Sequence, residues 1–452
     1  MASRNAKVIT IALMCILSPL LPTLQASLVQ AMPPVQRSVL PNGLVLLVSQ
    51  ERSLPLVTLQ ILIDAGSRRD PSGQEGLAYL TARGLLLGSS NRTITTMNEE
   101  LDFMGASLDA SVGRDFATLG LRVLKKDLEK GSDLFLDALT QPTFPEEEVR
   151  REVQNALAAI QSAEADPMEV AQKAFRQILF LNSPYGHPVE GSRESLSQLN
   201  PEAIARFYRA HYHPNGAILT IVGDITNDEI TEKLIPRLEK WPRGESGKEL
   251  SRITFAQGPK TVEIDREITQ ANIILGHRGV SREDPDYYAL TVMNYILGGG
   301  GFGSRLMDEI RVRRGLAYSV ASFFDPGRFP GSFQVVLETK NASAREAISL
   351  VLQQMERMQR EMVSEGELIT AKNYLTGSFQ LRLDTQAKMA GFITQVEYYG
   401  LGLDYPDKYP LIINAVTREE VLRVAKAYLH PENYVLVVVA NLKEARMKGS
   451  EN

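Results

Sequence analysis

The chain has 452 residues, 44% of them hydrophobic and 23% charged, with a formal net charge of -5. That length allows two or more domains with separate cores, and the composition is ordinary for a soluble globular protein. The acidic balance, with no basic tract to offset it, argues against nucleic acid as a partner.

Arg4 and Lys7 precede an apolar run over residues 8–24, interrupted by Pro19 and Pro22 and followed by small residues at Ala26 and Ala31. This is the pattern of a signal peptide over residues 1–31, so the expected location is exported, in a bacterial periplasm or cell envelope. A membrane anchor is the rival reading, opposed by the two prolines and the short run. The single cysteine, Cys15, lies inside this segment behind Met14, where a lipoprotein needs a small residue. Removing 1–31 leaves no cysteine for a disulfide, and losing Arg4 and Lys7 takes the net charge from -5 to -7.

Two alternating apolar runs, LVLLVSQ and LVTLQILIDAG, flank the turn-like residues 52–55 and read as paired strands. Ser72 and Glu75 make a Ser-x-x-Glu capping box, which predicts a helix over GLAYLTARG, residues 76–84. On it Tyr79, Ala82 and Arg83 share one face at i, i+3 and i+4. A helix over 97–104 should end near Gly105, and 107–112 with 116–123 alternate like a hairpin around Gly113. Residues 128–139 are amphipathic, and Pro145 opens a long helix with acids in its first turn. Pro201 opens another helix through Arg209, and 217–222 reads as a buried strand. Residues 236–255 read as a linker, with Trp241, Pro242, Arg243, Gly244, Ser246 and Gly247 in it.

Beyond the linker the pattern repeats. HYHPNGAILTIVGD at 211–224 returns as YLHPENYVLVVVAN at 428–441, and DAGSRRD at 64–70 has a counterpart in GHRGVSRED at 276–284. The expected fold is α+β: two tandem homologous domains, over residues 33–235 and 256–446.

The face carrying residues 79, 82 and 83 has the spacing of two metal ligands with a general base between them. Its occupants cannot do that work: Tyr79 is a poor zinc ligand, Ala82 has no ligand atom, and Arg83 is a fixed cation. The stretch GLAYLTARG resembles the pitrilysin/insulysin-type metallopeptidases, the inverzincins, and their mitochondrial processing peptidase relatives. Active members read roughly GLAHFLEHM there, an inverted His-x-x-Glu-His motif. The resemblance covers residues 36–445 and sets Tyr79 on the first His, Ala82 on the Glu and Arg83 on the second His. The family's third ligand is a Glu seven residues after another acid. FPEEEVRREVQNALAAI keeps that acid as Glu152 but puts Ala159 at the ligand position. The resemblance therefore implies no metal and no cofactor in this chain, and leaves Glu152 to pair with Arg83 or a neighbouring arginine. It also implies a mixed, mostly antiparallel sheet with helices in each domain, the two forming one half of a clam-shell.

A second stretch, LGGGGFGSRLMDEIRVRRGLAYSVASFF at 297–324, resembles the family's glycine-rich loop followed by an arginine and, seven residues on, a tyrosine. Here these are Arg311 and Tyr318. In the family the pair binds the scissile carbonyl at a zinc site in the other half and steadies the oxyanion, a role worth roughly 3 to 4 kcal/mol per donor in other enzymes. Read alone, Arg311 would be a surface cation paired with Asp308 or Glu309, and Tyr318 a half-buried packing residue. The glycine run 298–301 lacks the Lys-Ser/Thr ending of a nucleotide loop, which leaves a mobile rim loop or close backbone packing. GASLDASVGRDFATLGL at 105–121 resembles the strand pair whose edge accepts substrate by β-augmentation, with Ala106, Ser107, Leu108 and Asp109 as peptide contacts; an ordinary core hairpin is the alternative. His211 and His213 share a strand-like face with no acidic or sulfur partner at ligand spacing, and His213 and His430 occupy matching repeat positions before proline. His277 is unassigned.

The resemblance implies a noncatalytic subunit of a heterodimeric zinc peptidase. Its partner would be a homologous zinc-bearing chain, its substrate a peptide, and the membrane would matter only through an uncleaved signal. A self-paired peptide-binding protein or an envelope scaffold is the alternative.

Overall fold

Strand β1 (Val35–Val39) opens a six-stranded sheet with β2 (Val45–Gln50), β3 (Leu56–Ile63), β4 (Ser107–Val112), β5 (Ala117–Leu124) and β6 (Ile218–Gly223), in the order β1-β2-β6-β3-β5-β4. A second sheet holds β7 (Lys260–Asp265), β8 (Gln270–Arg278), β9 (Ala317–Asp325), β10 (Ser332–Lys340) and β11 (Val435–Ala440), in the order β7-β11-β8-β10-β9. The structure, a computed structural model, describes residues 32–181, 183–245 and 253–447. The expected signal over 1–31 and residues 246–252 of the expected linker lie outside the described residues. Among the described residues no helix is long and apolar enough to cross a membrane.

The repeat seen in the sequence is a repeat of topology. Setting β2 on β7, β6 on β11, β3 on β8, β5 on β10 and β4 on β9 superposes the two strand orders, and only β1 is left over. The polarity matches too: β2–β6 and β7–β11 are the parallel pairs, and every other pair is antiparallel. The fold is thus two copies of one mixed, mostly antiparallel domain. One pairing differs from expectation. β2 and β3 are not partners, because β6 lies between them, with Leu47 opposite Thr220 and Leu59 opposite Ile221. All six residues of β6 are buried, which suits an interior strand. The connection from β2 to β3 has only to step over one strand, about 10 Å.

Helices form where their ends are satisfied. Helix α1 (Leu77–Gly84) begins at the left-handed Gly76. Helix α2 (Ile94–Met104) is capped by Thr93, whose Oγ1 accepts from Thr96 N at 3.2 Å, and stops at left-handed Gly105. After α3 (Leu128–Thr140), Pro145 leads into α4 (Glu146–Ala165), whose first turn carries Glu146, Glu147 and Glu148 on the positive end of the helix dipole. Asp166 caps α5 (Pro167–Leu179), accepting from Met168 N at 2.7 Å.

Each sheet buries one face against helices of its own half. The first core gathers Leu46, Leu59, Leu121 and Leu219 with α1 and α3; the second gathers Ile273, Val335 and Val438 with the helices Tyr287–Asn294, Ala344–Arg360 and Arg418–Tyr428. The opposite faces are covered by exchange. Helix α5, from the first half, packs on β8 and β11, placing Phe175 and Leu179 against Ile274, Val437 and Val439. The Gln386–Tyr398 helix, from the second half, packs on β3 and β6, where Thr394 Oγ1 meets Thr220 Oγ1 at 2.7 Å. Gly276 sits where α5 comes closest: a Cβ there would stand 2.8 Å from Phe175 Cζ. Each buried side chain of this size is worth about 2 to 3 kcal/mol, so separating the halves is costly.

A polar cluster ties the same junction. Asp325 is paired with Arg114 and, at 3.3 Å, with Arg176. Burial alone would raise the Asp325 carboxyl, but the two arginines outweigh it and hold it below the usual range. Asp115 accepts from Arg328 N at 2.9 Å and from the Tyr185 hydroxyl. Residues 236–241 of the expected linker belong to the first half: Ile235–Leu238 is helical and Trp241 is 3% exposed in the first core.

Candidate functional site

The helix carrying the degenerate metal motif does not start as its sequence suggested. Its N-cap is Gly76, at φ 94, and the capping carboxylate belongs to Asp70, which accepts from Gly76 N at 2.8 Å and Ala78 N at 2.7 Å. The capping box is absent because the chain turns once more before the helix: Gln74 N bonds Pro71 O, and Glu75 Oε1 folds back onto Gly73 N at 2.9 Å. The left-handed Gly76 is forced by a neighbour, since a Cβ there would lie 2.6 Å from Glu190 O. Burial pushes the Asp70 carboxyl up to about 7, outweighing its two N–H donors.

On α1, Tyr79 is half-buried against the first core, Ala82 is buried, and Arg83 reaches α4. Arg83 Nε donates to Glu152 Oε1 at 2.8 Å, with the Glu152 side chain 9% exposed and that of Arg83 43%. The hydrogen bond to Glu152 raises the guanidinium pKa further, and burial followed by the Glu152 charge raises that of the Tyr79 phenol. Ala159 lies seven residues after Glu152, about two turns along α4. It is exposed and lines a cleft of about 570 Å3 between α4, α5 and residues 186–191. A hydroxyl, two methyls and a guanidinium cannot hold zinc. The donor set does not fit the metal, and an ion pair fills its place. Among the described residues no group of three His, Cys, Asp or Glu side chains could hold a metal ion.

β4 ends the first sheet, beside α1. Ser107 and Asp109 are exposed on it, Leu108 and Ala110 are buried, and Ala106 precedes it half-buried. The Asp109 charge reaches the Arg83 guanidinium. The open edge and the degenerate helix therefore lie together.

The second constellation stands at the edge of the other sheet. Tyr318 is on β9, 72% exposed. Arg311 sits in the wide helical turn Met307–Arg313, its guanidinium centre 5.3 Å from the Tyr318 ring and 5.0 Å from the Phe302 ring. The carboxylates that could have neutralised it are engaged elsewhere: Asp308 pairs with Arg313 at 2.9 Å and Glu309 with Arg314 at 2.7 Å. Among the described residues Arg311 has no carboxylate partner. The glycine run packs closely against β9, since a Cβ on Gly298 would stand 2.4 Å from Ser322 Oγ. Phe302 completes this cluster. Sequence reading missed it, and only its place in the glycine-rich stretch could have signalled it.

His187 lines the cleft that Ala159 faces, and the other histidines fall outside both constellations. His211 ends the Pro201–His211 helix rather than sharing a strand with His213. Burial, then the charge of Arg69, pushes it down to about 4. His277 is buried and stacked on Phe333; its Nδ1–H donates to Arg278 O at 2.8 Å and its Nε2 accepts from His430 N at 3.2 Å. Burial holds it down to about 3, so the ring is neutral.

Two tandem copies of this mixed sheet, with a degenerate form of the inverted motif on α1, define an M16-type peptidase fold. The chain belongs to that family: residues 45–193 match "Insulinase (Peptidase family M16)" and residues 198–375 match "Peptidase M16 inactive domain". It is 27% identical over 402 residues to an uncharacterized zinc protease of Streptomyces coelicolor, covering 87% of each chain. It is 25% identical over 424 residues to a probable mitochondrial-processing peptidase subunit beta of Arabidopsis thaliana, covering 91% of this chain and 79% of that one. A crystal structure titled as a peptidase M16 inactive domain from Pseudomonas fluorescens superposes with a TM-score of 0.84 at 26% identity, over 90% of this chain and 98% of that one.

Proposed function

We propose that this chain is the noncatalytic subunit of a heterodimeric zinc peptidase, exported to the periplasm or cell envelope. It closes a peptide chamber with a homologous zinc-bearing chain and presents Arg311 and Tyr318 to the scissile carbonyl at that partner's metal. The observation that carries this reading is the contrast between the two constellations. The metal-motif positions hold Tyr79, Ala82, Ala159 and an Arg83 paired with Glu152, while among the described residues Arg311 has no carboxylate partner and stands beside an exposed tyrosine. A fixed cation and a compact donor are what a developing oxyanion needs. The subunit naming of the Arabidopsis relative supports a two-chain assembly. Peptide would lie along the open edge at residues 106–109, adding a strand to β4.

The test is a tagged pull-down from the native envelope. Recovery of a near-stoichiometric chain with a His-x-x-Glu-His motif supports the reading. The purified chain alone should show no proteolysis that chelator abolishes and zinc restores; finding it would end the proposal. Within the active pair, Arg311→Ala or Tyr318→Phe should lower kcat by about 10²-fold, and wild-type turnover in both would remove their role. A self-paired peptide binder is the second reading, favoured by the open β4 edge. Recovery of this chain alone with bound peptide would select it.

A further inference from the structure

The repeat supplies an internal comparison that points to a second site. Ser67–Arg68 in the first half corresponds to Ser281–Arg282 in the second, within DAGSRRD and GHRGVSRED. Both arginines are buried, at 3% and 9% exposed. Arg68 is neutralised, bonded to Asp64 and 3.4 Å from Asp115. Arg282 is not. The position matching Asp64 is Arg278, and among the described residues no carboxylate pairs with Arg282. Its contacts are phenols: Nη2 donates to the Tyr405 hydroxyl at 2.9 Å, and the guanidinium lies 3.9 Å from the Tyr287 ring centroid. A buried charge without a counter-ion is costly, so one arginine kept buried in both halves but neutralised in only one calls for an anion from outside.

There is room for one. Arg282 lines a cleft of about 570 Å3 formed with the Gln386–Tyr398 helix and the start of the Tyr405–Ala415 helix. Among the described residues its walls hold three cations, Arg282, Arg382 and Lys388, and no aspartate or glutamate. Arg382 stacks on Phe379 and Tyr409, 5.6 Å from each ring, with no ion pair among the described residues. Lys388 shares its charge with Asp384 at 2.9 Å, outside the lining. Phe392, Val396 and Leu401 give the remaining wall an apolar surface. Burial raises the phenols of Tyr405 and Tyr399, the latter to about 12, so both stay protonated donors at neutral pH.

We propose that this cleft binds a small ligand with an anionic head, carboxylate or phosphate, on a ring-sized apolar body. Arg282, Arg382 and Lys388 hold the head and Phe392 faces the body. The site is separate from the Arg311 and Tyr318 cluster and does not depend on the peptidase reading.

The test is calorimetric titration of the full chain with phenyl phosphate, benzoate, inorganic phosphate and benzyl alcohol. Phenyl phosphate or benzoate should bind saturably and raise the melting midpoint, while the neutral alcohol should not; which anion binds tighter identifies the head. Arg382→Ala and Lys388→Ala change exposed side chains and should fold normally, with binding weakened about tenfold or more. The proposal is overturned if neither aromatic anion binds at millimolar concentration, if benzyl alcohol binds equally, or if both variants bind as the wild type does. Arg282→Met supplies a further check: a folded variant that still binds phenyl phosphate at wild-type affinity also refutes it.

Discussion

Arg83→Ala tests whether an ion pair has taken over the structural place of the metal. The Glu152 side chain is 9% exposed, with Arg83 Nε at 2.8 Å on one oxygen and only a long 3.5 Å contact from Asn155 on the other. Removing Arg83 leaves a nearly buried carboxylate with that single weak donor. Breaking a fully buried pair in this way costs about 3 to 5 kcal/mol. The Arg83 side chain is 43% exposed, however, so water already screens part of the attraction. The expected loss is about 2 kcal/mol, read from urea unfolding as a lower midpoint at unchanged slope. Glu152→Ala in the same background should give back about half, because the orphaned charge goes with it. The reasoning fails if Arg83→Ala moves stability by less than about 0.5 kcal/mol, or if the two substitutions add. Zinc affinity should not appear in either variant, since Tyr79, Ala82 and Ala159 still offer no ligand set.

Other outcomes follow from the same structure. His277 has its folded pKa lowered to about 3, so the unfolded chain binds the extra proton between that value and about 6.5. Stability is therefore full above the unfolded pKa and falls with acidification, by about 2 kcal/mol at pH 5. In His277→Gln that part of the pH slope should vanish; an unchanged slope in urea titrations refutes the assignment. Asp70→Ala removes the acceptor for two N–H groups of α1 and should cost about 1 to 2 kcal/mol, whereas Ser72→Ala should cost under about 0.5. The reverse ranking would restore the capping box. Gly298→Ala must displace Ser322 on β9, so under the proposed two-chain reading turnover of the pair should fall further than the stability of the isolated chain. Equal activity would show that the glycine run does not position Tyr318.

The duplication and the missing ligand chemistry of the motif were legible in the sequence for physical reasons. β6 and β11 are interior strands, buried on both faces, so both repeats keep a mostly apolar run, broken in β6 only by Thr220. Ligand chemistry depends on side-chain identity alone, so Tyr79, Ala82, Arg83 and Ala159 could be read without coordinates. The Arg83–Glu152 contact followed because both residues stand on the motif's own helices. What failed was set by distant chain. β2 and β3 read as neighbours because alternation marks a strand without naming its partner. Ser72 and Glu75 satisfied a local rule that Asp70 and residues 190–191 overrode. The Asp115 and Asp325 cluster joins residues more than two hundred apart and leaves no local mark.

The exchanged helices impose an order of events on the newborn chain. When β11 emerges, α5 already exists to receive its Val437 and Val439. The first sheet has no such advantage: the Gln386–Tyr398 helix leaves the ribosome roughly 160 residues after β6, about 8 to 32 s later. During that interval one face of the first sheet waits uncovered. On that face Ser49, Thr58, Gln60 and Thr220 alternate with Leu47, Leu62, Ile218 and Val222, while the face that receives α5 sets Ile274, Val435, Val437 and Val439 beside Asn272 and Gln334. The polar side chains interspersed on the waiting surface dilute its apolar area until the chain's own last third arrives to cover it.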